Sequence, residues 1–186
     1  MPITAADHEP MRQAIEASRE AVAEGNMPFG ATLVSPEGSL LWTARNNQIT
    51  RGDCTGHAEL VLVREATAKL GADALRGGTV YASGEPCAMC SGAMFWAGIR
   101  RVVFAASQQD IIDALGGEQL PIRSAQVYAG ASPAVQVDGP LLGSSAIEVL
   151  REAEAAARAA LLQAQTTRDD AARGLRLLER LVPEVL

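Results

Sequence analysis

The sequence predicts a three-layer α/β domain, in which helices cover both faces of a central mixed sheet of about five strands. Segments with helical patterns alternate along the chain with short β-prone runs, in the order α-β-β-α-β-α-β-α-β-α. A turn signal at residues 36–38 between two such runs predicts an antiparallel hairpin at one side of the sheet. The 186 residues suffice for one domain of this kind with an appendage.

The first half of the domain is predicted from periodicity and from turn residues. The predicted elements are an amphipathic helix from Asp7 or His8 to Gly25, strands at 31–35 and 40–44, a polar loop at 46–56 and a helix at 57–70. Met11 and Ile15 recur at helical spacing, and Pro10 suits a first helical turn. Gly71 is the expected stop of the second helix.

The second half continues the alternation and then changes composition. The predicted elements are strands at 79–83, 101–106 and 135–137 and helices at 86–97 and 110–115. Beyond Ser144 the chain is rich in alanine, arginine and glutamate, and its apolar residues indicate two helices with a break near 166–170. We therefore expect a domain at 1–143 and a helical tail at 144–186, packed on the domain or on a partner subunit.

Charge and cysteine content narrow the possible functions. The net charge is −6, and up to residue 143 there are 10 basic and 15 acidic residues, a difference of −5. An acidic chain is unfavourable for tracking phosphates, so nucleic acid is not the expected partner. Three cysteines cannot form a secreted disulfide framework, and no apolar run is long enough to cross a membrane. The sequence thus predicts a cytoplasmic protein.

Two short motifs carry candidate chemistry. They are His57-Ala58-Glu59 and Pro86-Cys87-Ala88-Met89-Cys90, and each lies where a helix is predicted to begin. Cys87 and Cys90 are three residues apart, so both thiols lie on one side of a first helical turn, where the helix dipole favours thiolates. With His57 they make three zinc ligands and leave a fourth position open for water, as in catalytic zinc sites.

Two further side chains affect how this site is interpreted. Glu59 is predicted to be the acid/base that takes the proton from the water, since a carboxylate beside a metal-activated water suits that role. Cys54 could be a fourth ligand, and the site would then be a closed, structural zinc site; its place on the preceding loop argues against this. His8, at the start of a helix, is expected to be a cap or a surface residue.

These motifs resemble the cytidine deaminase-like superfamily, whose zinc-dependent base deaminases have H-x-E with P-C-x-x-C. Further similar segments are Pro28-Phe29-Gly30-Ala31, Asn46-Asn47, Glu85-Pro86 and Gly92-Ala93-Met94-Phe95-Trp96-Ala97. Phe29, Asn46 and Trp96 together resemble the bacterial guanine deaminase branch most. The resemblance implies the deaminase-like fold, one zinc ion per chain, hydrolytic release of ammonia and a homodimer.

The substrate-binding residues are predicted partly from chemistry and partly from the resemblance. Phe29 and Trp96 offer flat surfaces for stacking, and the Asn46 amide can donate to and accept from a base edge. The resemblance implies that backbone groups at Ala58 and Glu85 hold the ring. It also places an acidic contact at Glu118, with Asp110 and Asp113 nearby.

Guanine or a related aminopurine is the favoured substrate, and three alternatives stay open. The first is a tRNA-specific adenosine deaminase, and the second is a deaminase of cytosine or another amino-heterocycle. The acidic balance and the segment Ala105-Ala106-Ser107-Gln108-Gln109, in place of a Lys/Gly-rich stretch, argue against tRNA. The third is a non-catalytic zinc-binding scaffold with the same fold, against which the presence of Glu59 counts.

Overall fold

The computed structural model describes residues 2–117 and 120–181, with side chains as far as residue 173. A 3₁₀ turn at Ala5–Asp7 precedes the first helix, and another at Ala72–Leu75 follows the third. The elements are α1 (His8–Ala23), β1 (Gly30–Val34), β2 (Leu40–Arg45), α2 (Gln48–Arg51), α3 (Ala58–Leu70), β3 (Thr79–Gly84), α4 (Ala88–Trp96), β4 (Arg101–Ala106), α5 (Gln108–Leu115), α6 (Ser124–Val127), β5 (Gln136–Asp138) and α7 (Gly143–Leu181).

The strands form one five-stranded mixed sheet in the order β2-β1-β3-β4-β5. β1 pairs antiparallel with both β2 and β3, whereas β3, β4 and β5 run parallel. The expected hairpin is therefore present at one side of the sheet, and the helical connections α4 and α5–α6 link the parallel strands. The predicted fold class is confirmed.

Two apolar cores lie on opposite faces of this sheet. Side chains alternate along a strand, so Val102 belongs to one core and its neighbour Val103 to the other. The Val103 core is formed with α1, α5 and the first turns of α7, and the Val102 core with α3 and α4. Cys87 and Cys90 follow the carboxyl end of β3, and such strand ends are the usual place for ligands in α/β sheets.

A buried polar network ties the N-terminus to the sheet. Asp7 is 3% exposed and accepts hydrogen bonds from the Tyr81 hydroxyl at 2.6 Å and from the Arg101 guanidinium. Arg101 also donates to Asp138 at 2.8 Å, which links β4 to β5. Burial would raise the pKa of Asp7, but its hydrogen bonds from Arg101 and Tyr81 outweigh that effect and hold the pKa well below its usual range.

The structure adds two short helices where loops were expected, α2 and α6. It also corrects the predicted break in the tail: α7 is one continuous helix through residues 166–170. The hydroxyls of Thr166 and Thr167 donate at 3.0 Å to the carbonyls of Leu162 and Gln163, four residues back, so these side chains are satisfied within the helix. No helix among residues 2–117 and 120–181 is long and apolar enough to cross a membrane.

The chain divides into two compact units, Met1–Arg151 and Glu152–Leu186. The first unit thus includes the opening turns of α7. Ala146, Val149 and Leu150 are each at most 3% exposed and belong to the Val103 core. The second unit consists, in its described part, of the remainder of α7.

Two truncations should show how much the buried first turns of α7 contribute to stability, apart from the remainder of the helix. A chain ending after Gly143 loses the buried side chains of Val149 and Leu150, and a leucine truncated to alanine in a core alone costs about 2–5 kcal/mol. A chain ending after Arg151 keeps them. We expect the Tm of the shorter chain to lie at least about 10 °C below that of the longer one. Equal melting temperatures would show that these turns do not contribute to the core.

Candidate zinc and catalytic site

The N-termini of α3 and α4 meet at one point, and the two motifs are placed there. His57 is the N-cap of α3 and Cys87 is the N-cap of α4, both with extended backbone. The predicted helix starts are confirmed to within a residue or two. Since both helices direct their unpaired N–H groups and positive dipole ends here, the site favours anionic ligands such as thiolates.

Three side chains at this point have the geometry and chemistry of a zinc site. The donor atoms of His57, Cys87 and Cys90 all lie within 4.8 Å of one another, and Cys87 Sγ is 3.7 Å from His57 Nδ1. One imidazole nitrogen and two sulfurs form a donor set that suits zinc and leaves a tetrahedral position for water. These residues would hold the ion. Cys54 is exposed and is not part of this group.

The electrostatics favour a thiolate at Cys87, whereas the hydrogen bond with Cys87 and burial raise the pKa of the Cys90 thiol. A hydrogen bond from Cys90 and one with His57 lower the pKa of the Cys87 thiol to about 4, although burial opposes the change. The same hydrogen bond with Cys87 raises the pKa of His57. A thiolate at Cys87 is the form that binds metal.

Glu59 lies beside the ligands without belonging to the ligand group. It is the second residue of α3, is 7% exposed and lines the same cavity as His57 and Cys87. Burial raises the pKa of its carboxyl, which brings that group closer to the range in which a residue can both accept and donate a proton. The position matches the predicted acid/base.

The cavity in front of these residues has a volume of about 330 Å³. Its wall consists of Met27, Phe29, Gln48, His57, Glu59, Gly84, Glu85, Cys87, Ile111, Leu115, Gly116 and Gly117. Phe29 is placed as predicted. A Cβ on Gly84 would lie 2.9 Å from Ile111 Cδ1 and 3.0 Å from the Phe29 ring, so glycine is needed for the ring to approach this wall.

The Glu85 carboxylate is fully occupied within the protein. Its Oε2 accepts from the Gln108 N–H and from Arg123 Nη1, each at 3.0 Å. Its Oε1 accepts from the N–H and the hydroxyl of Ser124, at 3.2 and 3.1 Å. Four bonds fill the lone pairs of a carboxylate, and the Glu85 N–H donates to the Ala106 carbonyl at 2.7 Å, so Glu85 can offer a ligand only its backbone carbonyl. Ala58, fully buried at the first position of α3, likewise has only backbone to offer.

Three predicted binding residues, Ala58, Asn46 and Trp96, are not among the described residues that line the cavity. Asn46 is fully buried, and its amide is engaged with Gln48. Trp96 is 85% exposed at the far end of α4 and contacts the Phe95 ring edge-to-face at 5.1 Å. Trp96 is nine positions beyond Cys87, which is about 13.5 Å along the helix axis at 1.5 Å per residue.

None of the candidates for an acidic contact with the base, namely Asp110, Asp113 and Glu118, is among the described residues of the cavity wall. The Asp110 carboxylate accepts from the N–H and hydroxyl of Ser107 and so caps α5. Asp113 accepts from Gln109 and does not line the cavity. Glu118 lies outside the described residues, although the wall includes the adjoining Gly117.

The sequence did not indicate Gln48, Ile111 or Leu115 as wall residues. Gln48 was within a predicted loop, where one polar residue among many gives no signal. Ile111 and Leu115 are four residues apart on α5, and this spacing showed that they share a helix face but not what that face contacts.

The chain is similar to known proteins in both sequence and fold. The family model of the cytidine and deoxycytidylate deaminase zinc-binding region matches residues 4–106. A probable cytosine deaminase of Schizosaccharomyces pombe is 40% identical over 141 residues, 74% of this chain and 85% of the relative. A tRNA-specific adenosine deaminase of Haemophilus influenzae is 37% identical over 101 residues, 54% of this chain and 58% of the relative.

A solved structure extends the likeness beyond the motifs. The guanine deaminase of Nitrosomonas europaea superposes with a TM-score of 0.71 at 27% identity, covering 83% of this chain and 87% of that one. The three relatives are named for three different substrates, at 40%, 37% and 27% identity, so the choice among these substrates depends on the cavity.

Proposed function

Since the chain belongs to the cytidine and deoxycytidylate deaminase family, we propose that it deaminates a free nucleobase, with guanine or a related aminopurine as its substrate. The chain is a zinc-dependent hydrolytic deaminase with the cytidine deaminase-like fold. The wall of the cavity supports free guanine as its substrate.

The cavity wall carries no cation among the described residues. Its polar side chains are Gln48, His57, Glu59, Glu85 and Cys87, and the remaining ones are apolar or glycine. A protein that binds a nucleic acid strand needs lysine or arginine beside the reacting base to contact phosphates. A partly apolar pocket of about 330 Å³, with no lysine or arginine among its described wall residues, is of a size that suits a small molecule. This observation favours a free base over tRNA.

The chemistry follows from the positions of Glu59 and the ligands. Zinc bound by His57, Cys87 and Cys90 would supply an activated water, since a metal in such a site lowers the pKa of water to near 7. Glu59 then takes one proton from the attacking water and delivers it to the ring nitrogen beside the amino-bearing carbon. It passes the second proton to the amino group, whose C–N bond breaks, and ammonia leaves.

Phe29 and backbone groups would hold the ring for this proton transfer. The Phe29 side chain forms one wall of the cavity and offers a face for stacking. At Glu85 the backbone carbonyl is the group left for the ring, because the carboxylate is occupied and the N–H donates to the Ala106 carbonyl at 2.7 Å. The contact that the resemblance implies at Ala58 would be made by its backbone at the first position of α3. The guanine deaminase of Nitrosomonas europaea, similar over most of its length, supports guanine as the base.

Cytosine is the second candidate, because the probable cytosine deaminase of fission yeast matches across 85% of its own length. Ammonia release should be measured on guanine, guanosine, cytosine, adenine and a tRNA anticodon stem-loop, with a Glu59→Gln variant as the blank. We expect turnover of guanine and none of guanosine. Turnover of cytosine alone, or of the stem-loop alone, would contradict the proposal.

We also propose that two copies associate, as the resemblance implies. The strong exposure of Trp96, at the end of a helix that flanks the sheet, is consistent with a surface covered by another chain. Light scattering on the preparation used for the substrate panel gives the mass; a monomer at assay concentration would contradict association.

A further inference from the structure

Helix α5 forms one side of the cavity but has little contact with the core. Its residues Ile111 and Leu115, together with Gly116 and Gly117 beyond its end, line the cavity. Among the eight residues of α5, Ile111 is the one that is buried, whereas Ala114 and Leu115 pack against the core only in part. So small a buried face does not by itself fix the direction in which the helix leaves β4. The contacts at the start of α5 therefore matter for the shape of the cavity.

The start of α5 is joined to the turn between β3 and α4 by one hydrogen bond. Glu85 Oε2 accepts from the N–H of Gln108, the first residue of α5, at 3.0 Å. The first N–H groups of a helix have no acceptor within the helix, and a carboxylate there complements the positive end of the helix dipole. The capping box of Ser107 and Asp110 is local to α5, but the bond from Gln108 crosses to the segment that carries the ligand Cys87.

The Glu85 carboxylate is itself held in one orientation. Its side chain is 6% exposed, and its backbone is fixed to the end of β4 because the Glu85 N–H donates to the Ala106 carbonyl. Arg123 Nη1 donates to Oε2 at 3.0 Å, and the N–H of Ser124 donates to Oε1 at 3.2 Å. The oxygen that accepts from Gln108 thus has a fixed position relative to the zinc ligands.

We infer that Glu85 is a positioning residue: through the Gln108 N–H its carboxylate fixes the distance between α5 and the zinc ligands, and so determines how tightly the cavity holds a base. The inference rests on the proposed function and adds to it a residue that governs binding of the base. This role belongs to the carboxylate, whereas the contact proposed above for the ring belongs to the backbone carbonyl. The zinc ligands and Glu59 are placed by the starts of α3 and α4, so loss of this bond should weaken binding with little effect on the chemical step.

Two substitutions at residue 108 isolate the hydrogen bond. Gln108→Pro removes the N–H; proline suits the first position of a helix, and the extended backbone of Ser107, with ψ at 163°, accommodates a following proline. Gln108→Ala keeps the N–H and loses the side chain, including its bond to the Leu120 carbonyl, which Gln108→Pro also loses. We expect KM for guanine to be at least about 5-fold higher in Gln108→Pro than in Gln108→Ala, with kcat equal to within about 2-fold, because a buried carboxylate then lacks one donor.

Glu85→Gln tests the same bond from the acceptor side. Glutamine has nearly the shape of glutamate, but its amide nitrogen meets an N–H donor in either orientation, from Gln108 and Arg123 on one side or from Ser124 on the other. KM for guanine should again rise at least about 5-fold, with zinc per chain unchanged. Glu65→Gln, the same change at an exposed position of α3 outside the cavity wall, should leave KM as it is.

Hydrogen exchange and base binding separate this inference from the proposed function. The amides of residues 109–115 should exchange faster with solvent in Gln108→Pro than in Gln108→Ala. In a Glu59→Gln background, which leaves guanine intact, the Kd for guanine from equilibrium dialysis should differ between the two variants by the same factor as KM. Equal exchange or equal KM in the two variants would overturn the inference, as would a loss of zinc and kcat in parallel with KM. If guanine is not turned over but exchange and Kd depend on the Gln108 N–H, the proposed reaction is wrong and positioning by Glu85 stands.

Discussion

Glu59→Gln is expected to lower kcat for guanine by about 10³-fold, within the range that general acid–base catalysis contributes, and to leave one zinc ion bound per chain. The amide has nearly the shape of the carboxylate but cannot take a proton from water and release it to the ring. Because Glu59 is not in the group of donor atoms formed by His57, Cys87 and Cys90, its substitution should not release the metal. The measurement is steady-state ammonia release together with zinc analysis of the same samples.

Glu65→Gln is the matched control. Glu65 lies on the same helix, α3, and is exposed, and its carboxylate accepts from the Trp42 indole at 3.0 Å, a bond that glutamine can keep. We expect kcat to stay within about 2-fold of the wild type, since surface substitutions of this kind rarely have large effects. Full activity in Glu59→Gln would remove this residue from the mechanism.

Cys87→Ser is expected to abolish both zinc binding and turnover. Serine is close to cysteine in size but a poor zinc ligand, and the thiolate at Cys87 is favoured by the hydrogen bond from Cys90 and by the start of α4. Substitution of a residue that only supports a metal ligand usually lowers metal affinity roughly 10–100-fold. Because Cys87 is itself a ligand, its loss should lower zinc affinity by more than this. Dialysis against a chelator followed by metal analysis measures it, and the wild type should regain activity when zinc is returned.

Cys54→Ser distinguishes an open zinc site, with three protein ligands, from a closed structural site in which Cys54 is the fourth ligand. Cys54 is exposed and outside the ligand group, so this variant should keep one zinc ion per chain and its activity. Loss of zinc in Cys54→Ser would mean that four protein ligands enclose the ion, which is the structural alternative. The same change from cysteine to serine is therefore expected to remove zinc and activity at Cys87 and to leave both unchanged at Cys54.

Elements with a local signal were predicted well. The strand Arg101–Ala106 has the predicted bounds, and the hairpin β1–β2 follows from the turn between its apolar runs. The four-residue helices α2 and α6 were missed, because so short a helix shows no periodicity and depends on contacts such as those of Asn26. The break near 166–170 was wrong, since polar residues that suggest a stop can also be satisfied inside a helix.

At the site, the sequence indicated the metal ligands, because they belong to short motifs of neighbouring residues. His57 and Cys87 are N-caps and Cys90 lies in the first turn of α4, and helix starts can be predicted from local sequence. The wall opposite them is made by contacts between distant segments, so Gln48 and Ile111 gave no signal. The roles of Asn46 and Trp96 were inferred from side-chain chemistry and from the resemblance, and the structure places neither at the cavity.

The most direct test of the central claim is the conversion of guanine in ¹⁸O-labelled water by the zinc-loaded chain, followed by mass spectrometry of the purine product. Hydrolytic deamination at this site predicts xanthine with one ¹⁸O atom at the carbon that carried the amino group, and one ammonia for each xanthine. It also predicts no product from the Glu59→Gln variant. Guanine recovered unchanged with zinc fully bound, or xanthine without the label, would contradict the account.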